Sequence, residues 1–132
     1  MIPTTKNNGL RLYEAKSFPS KWTHVKNITN HKRLVDSTII KHNQLWWIFT
    51  SIPIQNEPNP LKLSIFYSND PLSDWTEFNG KIQVPNVSNS RSAGGFLKIN
   101  NDIYRLSQNT GKSYGESMNI NKVINFSTEE YE

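Results

Sequence analysis

Apolar and polar positions alternate along this chain in short runs, and no amphipathic helical spacing of useful length occurs anywhere. Trp22, His24, Lys26 and Ile28 fall on one side of a predicted strand over 22–28, with Thr23, Val25 and Asn27 on the other. Residues 35–41 and 45–52 read as a hairpin around His42-Asn43-Gln44. Within its second strand, Trp46-Trp47-Ile48-Phe49 runs without a polar break, as a strand covered on both faces does. The proline- and asparagine-rich stretch from Pro53 to Pro60 stops that strand. A third strand is predicted over 61–67. After a long turn, a fourth follows over 75–78, ended by Asn79-Gly80. Upstream, the apolar patch from Leu10 to Ala15 reads as a piece of strand, before a turn at Phe18-Pro19-Ser20-Lys21.

The pattern then restarts. Strands are predicted over 95–99, 103–108 and 118–126, with turns at Asn100-Asn101-Asp102 and at 109–113. The two hairpins can be laid on one another, His42-Asn43-Gln44-Leu45-Trp46-Trp47-Ile48 over Asn100-Asn101-Asp102-Ile103-Tyr104-Arg105-Leu106. Two Trp-Thr strand starts, Trp22-Thr23 and Trp75-Thr76, lie 53 residues apart. Short strands repeating about every 40–50 residues are the mark of a β-propeller blade. The expected fold class is all-β, with about two four-stranded antiparallel blades of a propeller. One partial propeller domain spans 1–132: residues 18–28 form an outer strand of a preceding blade, 33–80 a blade and 88–132 another. Two blades do not close a ring, so exposed blade faces and self-association are expected.

Composition narrows the function classes. The chain has 132 residues, a net charge of +4 and no cysteine. Its basic residues are scattered, which speaks for a solvated surface and against a nucleic-acid patch. Without cysteine there is no disulfide framework and no thiolate zinc site. His24, His31 and His42 lack ligand spacing, so no metal or other cofactor is expected. No apolar run approaches membrane-spanning length, and the first residues carry no apolar leader, so a soluble protein, cytoplasmic by default, is expected. The sequons at Asn27, Asn86 and Asn125 are chance matches in an asparagine-rich chain.

Three groups of residues could carry chemistry. Asp36 and Arg91 start the first strands of the two units, where propeller strands line a central channel. A carboxylate and a guanidinium there suit sugar hydroxyls or an anionic group; a capping Asp and a surface Arg are the bland alternative. Arg105 interrupts an apolar strand at the place Trp47 takes in the first unit. It must pair with a carboxylate or face a wet cavity that Gln108 shares, because an unpaired buried charge is costly. In Ser113-Tyr114-Gly115-Glu116, Tyr114 could stack on a sugar and Glu116 could serve as a general acid, although a solvated Glu116 is the simpler reading. Asp36 and Glu116 together would be the smallest glycosidase apparatus. A phosphate-binding glycine loop and a Gly-x-Ser-x-Gly elbow are both absent.

These residues also carry a resemblance. Phe18-Pro19-Ser20-Lys21-Trp22, Val35-Asp36-Ser37-Thr38-Ile39-Ile40 and Leu45-Trp46-Trp47-Ile48-Phe49-Thr50-Ser51 resemble the five-bladed, glycoside-hydrolase-43-like propeller. The nearer likeness is to the N-terminal propeller domain of glucosamine inositolphosphorylceramide transferases. Leu63-Ser64-Ile65-Phe66-Tyr67-Ser68, Trp75-Thr76, Arg91-Ser92-Ala93-Gly94, Tyr104-Arg105-Leu106-Ser107-Gln108, Tyr114-Gly115 and Tyr131-Glu132 continue it in order. Ser92 and Leu106 stand where that pattern has proline, Asn109 where it has aspartate, and Glu116 where it is usually apolar. The resemblance implies a carbohydrate-related propeller module that binds a sugar or glycoconjugate, with Asp36, Arg91, Arg105, Gln108 and Tyr114 lining its pocket. It attributes glycosyl transfer to a separate domain. The alternatives are a glycosidase-like enzyme completed by further blades and an inactive or purely interacting module.

Overall fold

The computed structural model describes residues 1–4, 9–30, 33–54, 61–85, 89–109, 113 and 115–132. The strands are β1 (Leu10–Ser17), β2 (Lys21–Thr29), β3 (Val35–His42), β4 (Leu45–Pro53), β5 (Leu61–Ser68) and β6 (Thr76–Glu77). They continue as β7 (Lys81–Ile82), β8 (Ser92–Ile99), β9 (Asp102–Asn109), β10 (Ser117–Lys122) and β11 (Glu130–Tyr131). The protein is all-β, with no α-helix among the described residues. Among these residues, consequently, no helix is long and apolar enough to cross a membrane.

Hairpins in series make three antiparallel sheets: β1-β2, β3-β4-β5-β6 and β8-β9-β10. The apolar run of β4 places Trp47 and Phe49 on one face and Ile48 on the other, and all three are buried. On one side, Ile48 and Phe66 pack with Leu10, Leu34 and Ile28, so the β1-β2 hairpin covers that face. On the other, Ile40, Trp47, Phe49, Leu63 and Ile65 pack against Phe96, Ile103, Val123 and Phe126 from the β8–β11 region. The β3–β6 sheet is therefore the middle of three layers. The second core is rich in aromatic contacts: Phe49 lies 4.9 Å from both Phe96 and Tyr131 between ring centroids, in edge-on geometry. Such pairs add about 0.5–1.5 kcal/mol each beyond the area they bury.

The two Trp-Thr starts are built alike. Trp22 Nε1 donates to the Pro19 carbonyl and Trp75 Nε1 to the Pro71 carbonyl, so each indole ties down the turn before the last strand of its sheet. The β1-β2 hairpin thus resembles β5-β6, and the piece of strand read over Leu10 to Ala15 is β1, paired with β2.

The superposition of the two hairpins needs a correction. His42 pairs with Leu45 across the two-residue turn Asn43-Gln44, and Ile99 pairs with Asp102 across Asn100-Asn101. Asn43, Gln44 and Asn100 take positive φ, as tight hairpin turns demand. Leu45 therefore matches Asp102, Trp47 matches Tyr104, and Ile48 matches Arg105. A slip of one residue moves every side chain to the other face. Arg105 faces the middle layer, as Ile48 faces the first, and does not occupy the Trp47 place.

The second unit also departs from the expected four strands. Its sheet has three, with β10 at the edge, and the chain end turns elsewhere. β11 pairs in parallel with β7, an element the sequence pattern does not announce. The approach is close at Gly80: a side chain there would collide with the Glu129 carbonyl and the Phe78 ring.

Candidate functional site

The first strands of the two larger sheets, β3 and β8, run beside each other, and both are bulged where they meet. Register shifts lie between Val35 and Thr38 in β3 and between Ser92 and Phe96 in β8. A bulge leaves a carbonyl without its ladder partner. In the middle sheet, Thr50 Oγ1 donates to the Val35 carbonyl at 3.1 Å and accepts from Ser37 Oγ at 2.9 Å. In the second sheet, Gln108 Nε2 donates to the Ser92 carbonyl at 3.1 Å. Gln108 is therefore a bulge-holder as well as a wall of the cleft. Asp36 takes φ of 53°, in the left-handed region that Asp tolerates better than most residues.

Between the bulges lies a cleft of about 730 Å³ lined by Asp36, Ser37, Thr38, Ser92, Ala93, Gly94, Gly95, Gln108, Gly115, Ser117 and Met118. Gly94 has φ of 137°, a backbone that side chains rarely allow. A Cβ on Gly95 would meet nothing within 4 Å, so the backbone is bare toward open space. The walls mix hydroxyl, amide and peptide groups and one carboxylate with the apolar side chains of Ala93 and Met118. The Asp36 carboxylate accepts from Arg91 Nε in an ion pair that joins β3 to the chain just before β8. Ser92 Oγ is buried and has no hydrogen-bond partner among the described residues.

Arg105 lies elsewhere. It lines a second cleft of about 370 Å³ with Gln83, Asn89, Asn121, Lys122, Tyr131 and Glu132, among others. The guanidinium is buried, yet its partners are backbone carbonyls: Nη1 donates to Asn89 at 2.6 Å and Nη2 to Ser90 at 2.8 Å. Ser51 Oγ also donates to the Ser90 carbonyl, at 3.1 Å, and Asn119 Nδ2 donates to Asn89 Oδ1 at 2.6 Å. Arg105 thus clasps the segment that leads into β8: of the two expectations, a carboxylate partner or a cavity, it lines a cleft, and its hydrogen-bond partners are peptide oxygens. Burial pushes its guanidinium down from the ordinary range, opposed by the neighbouring Tyr131. Burial pushes the Tyr131 phenol up to about 12, opposed by Arg105.

Of the candidates from sequence, the structure brings together Asp36, Arg91 and Gln108, and puts Arg105 at a separate cleft. Tyr114 lies outside the described residues. Glu116 is exposed between Gly115 and Ser117, two residues of the larger cleft. Sequence reasoning passed over Ser92 and Thr50. The only signal for Ser92 was the small-residue run that follows Arg91, and for Thr50 there was none. Among the described residues, no group of three or more His, Asp or Glu could hold a metal ion.

Comparison with known proteins agrees with the resemblance carried by the motifs. A family profile described as glucosamine inositolphosphorylceramide transferase 1, N-terminal, matches residues 1–132. Glucosamine inositolphosphorylceramide transferase 1 of Oryza sativa subsp. japonica is 32% identical over 136 residues, covering 99% of this chain and 18% of that protein. The Arabidopsis thaliana protein of the same name is 33% identical over 140 residues, with 99% and 18% covered. The chain thus spans about a fifth of the length of these relatives. No solved structure matches it. With its whole length matched by the family profile, the chain belongs to the glucosamine inositolphosphorylceramide transferase 1 N-terminal family.

Proposed function

We propose that this chain is a carbohydrate-related module whose larger cleft takes a sugar or the polyhydroxylated head of a glycoconjugate. The observation that carries this reading is the Asp36 carboxylate, held by Arg91 in the wall of a bulge-lined cleft. A carboxylate held in this way is an acceptor for hydroxyl groups. The Asp36 carboxylate accepts from ligand hydroxyls, Arg91 fixes that carboxylate, and Gln108 offers an amide. The bare backbone of Gly94 and Gly95 lets a ring approach closely. The relatives' name points to a glucosamine unit and an inositolphosphoryl lipid, both rich in hydroxyls. In the same reading the three sheets are successive propeller blades: 33–80 and 88–132, after the two outer strands of a preceding one.

The test is titration of the labelled chain with glucosamine and with myo-inositol, followed by NMR. Weak binding, of the order of 1 mM (about −4 kcal/mol), is expected, with shifts at Ser92, Gly95 and Gln108. Asp36→Ala and Gly95→Leu should abolish it. Shifts confined to other regions would overturn the assignment. A catalytic version has one observation in its favour: Glu116 flanks two cleft residues, so a carboxyl pair borders the same space. It expects turnover of an aryl glycoside that Asp36→Asn and Glu116→Gln each abolish.

A further inference from the structure

Asp36 stands in a backbone conformation that a side chain disfavours. Val35 pairs with Ser51 and Thr38 with Phe49, so Asp36 and Ser37 together face the single residue Thr50 across the ladder. One class of bulge sets its first extra residue in the left-handed region and normally uses glycine there. Here that residue is Asp36, with φ of 53°. Such a conformation persists only where the surroundings hold it.

The holding group is a hydroxyl in the core. Thr50 is fully buried, and its Oγ1 is engaged on either side of Asp36: it donates to the Val35 carbonyl at 3.1 Å and accepts from Ser37 Oγ at 2.9 Å. A hydroxyl has one proton to give and lone pairs to receive, so one side chain ties both neighbours of Asp36. The Asp36 N–H donates to Thr4 Oγ1 at 3.3 Å. The ion pair with Arg91 is part-exposed and screened by solvent, so it orients the carboxylate but is too weak to fix the backbone beneath it. The second sheet supplies a contrast. Its hydroxyl at the matching place, Ser107, accepts from Asn121 Nδ2 at 2.8 Å, and its bulge is held by Gln108. The hydroxyl clamp thus occurs where the bulge carries the carboxylate. We infer that Thr50 is a positioning residue for the larger cleft: through Val35 and Ser37 it sets the backbone of Asp36, and so the direction in which the carboxylate meets Arg91 and a ligand. The inference rests on the reading of that cleft as a sugar site.

NMR of the labelled full chain tests this with two readouts: the affinity for myo-inositol and glucosamine, and the exchange of the Arg91 Nε–H with water. Thr50→Val keeps the shape of the side chain and removes its hydroxyl. It should weaken binding about fivefold and speed the exchange by a similar factor, the worth of a hydrogen bond or two. Thr50→Ser restores the hydroxyl and should stay within about twofold of the unmodified chain in both. Ile48→Val trims the core on the same face of β4 without touching the bulge, and should move neither readout. If Thr50→Val does not fold, Ser37→Ala decides: it removes one of the two bonds and should speed the Arg91 exchange about twofold or more. Unchanged exchange in Thr50→Val or in Ser37→Ala, equal losses in Thr50→Val and Thr50→Ser, or the same losses in Ile48→Val would each overturn the inference. Failure of the unmodified chain to bind either probe would overturn the sugar reading instead, and the Arg91 exchange would still decide whether Thr50 places Asp36.

Discussion

The middle sheet and the β8–β10 sheet are two versions of one hairpin plan with opposite fates. Both begin with a bulged strand, cross a two-residue turn and return through a central strand. In the first, Trp47, Phe49, Leu63 and Ile65 are sealed between layers; in the second, the equivalent positions look outward. Apolar alternation thus marks a strand and its faces, but only the neighbouring layer decides whether a face becomes core. Position 48 and its counterpart 105 make the complementary point. There the same inward place holds an isoleucine in one sheet and a cation in the other, because peptide carbonyls near β8 can accept what an apolar neighbour cannot.

Mutations test the contrast between the two sheets. The largest expected effect is in the sealed face. Phe49→Ala should cost about 3–5 kcal/mol and Ile65→Ala about 2–5 kcal/mol in chemical denaturation. Ile120→Ala, measured dilute, should stay within about 0.5 kcal/mol. Equal costs for Ile65 and Ile120 would end the contrast between the two faces. Next is the matched inward pair. Arg105→Met strands two peptide carbonyls and should cost about 1–3 kcal/mol, whereas Ile48→Met should cost less than about 1.5 kcal/mol. At the seam between the sheets, the Asp36–Arg91 pair is part-exposed, so Asp36→Ala should change stability by no more than about 1 kcal/mol while sugar-dependent shifts vanish.

The smallest effect concerns pH. His42 stacks on Phe126 at 4.5 Å, and burial, reinforced by Lys98, holds its pKa below the ordinary value. The unfolded chain then takes up the proton first as pH falls through about 6.5, so this contribution is present above that pH and fades below it. His42→Gln should flatten the decline in melting temperature on acidification.

Much of the fold was legible because punctuation and pattern agreed. The proline-rich stop after β4 and the unbroken Trp46–Phe49 run located the middle sheet, and the Trp-Thr repeats located equivalent turns. The family, too, was legible from its motifs. The register between repeats was not. His42 looked like turn and Asp102 likewise, yet both sit in ladders, and a single-residue slip sent Arg105 to the wrong face. β7 and β11 are two residues each, too short to show any period. Asp36 and Arg91 were singled out for their place at the strand starts, and the structure pairs them beside one cleft. Ser92 was missed because nothing in a serine's sequence context tells whether its hydroxyl will find a partner.

The parallel ladder between β7 and β11 ties the second unit into a loop closed at its neck. Lys81 N donates to the Glu129 carbonyl at 2.9 Å and Gln83 N to the Tyr131 carbonyl at 2.8 Å, while the buried Tyr131 ring sits against Phe49. During synthesis the ribosome delivers residue 131 last of these, so the earlier sheets must wait with Phe49 partly uncovered. Once fastened, the neck keeps both pieces together if a protease cuts within the loop. Birth order and wear resistance thus rest on the same two short strands.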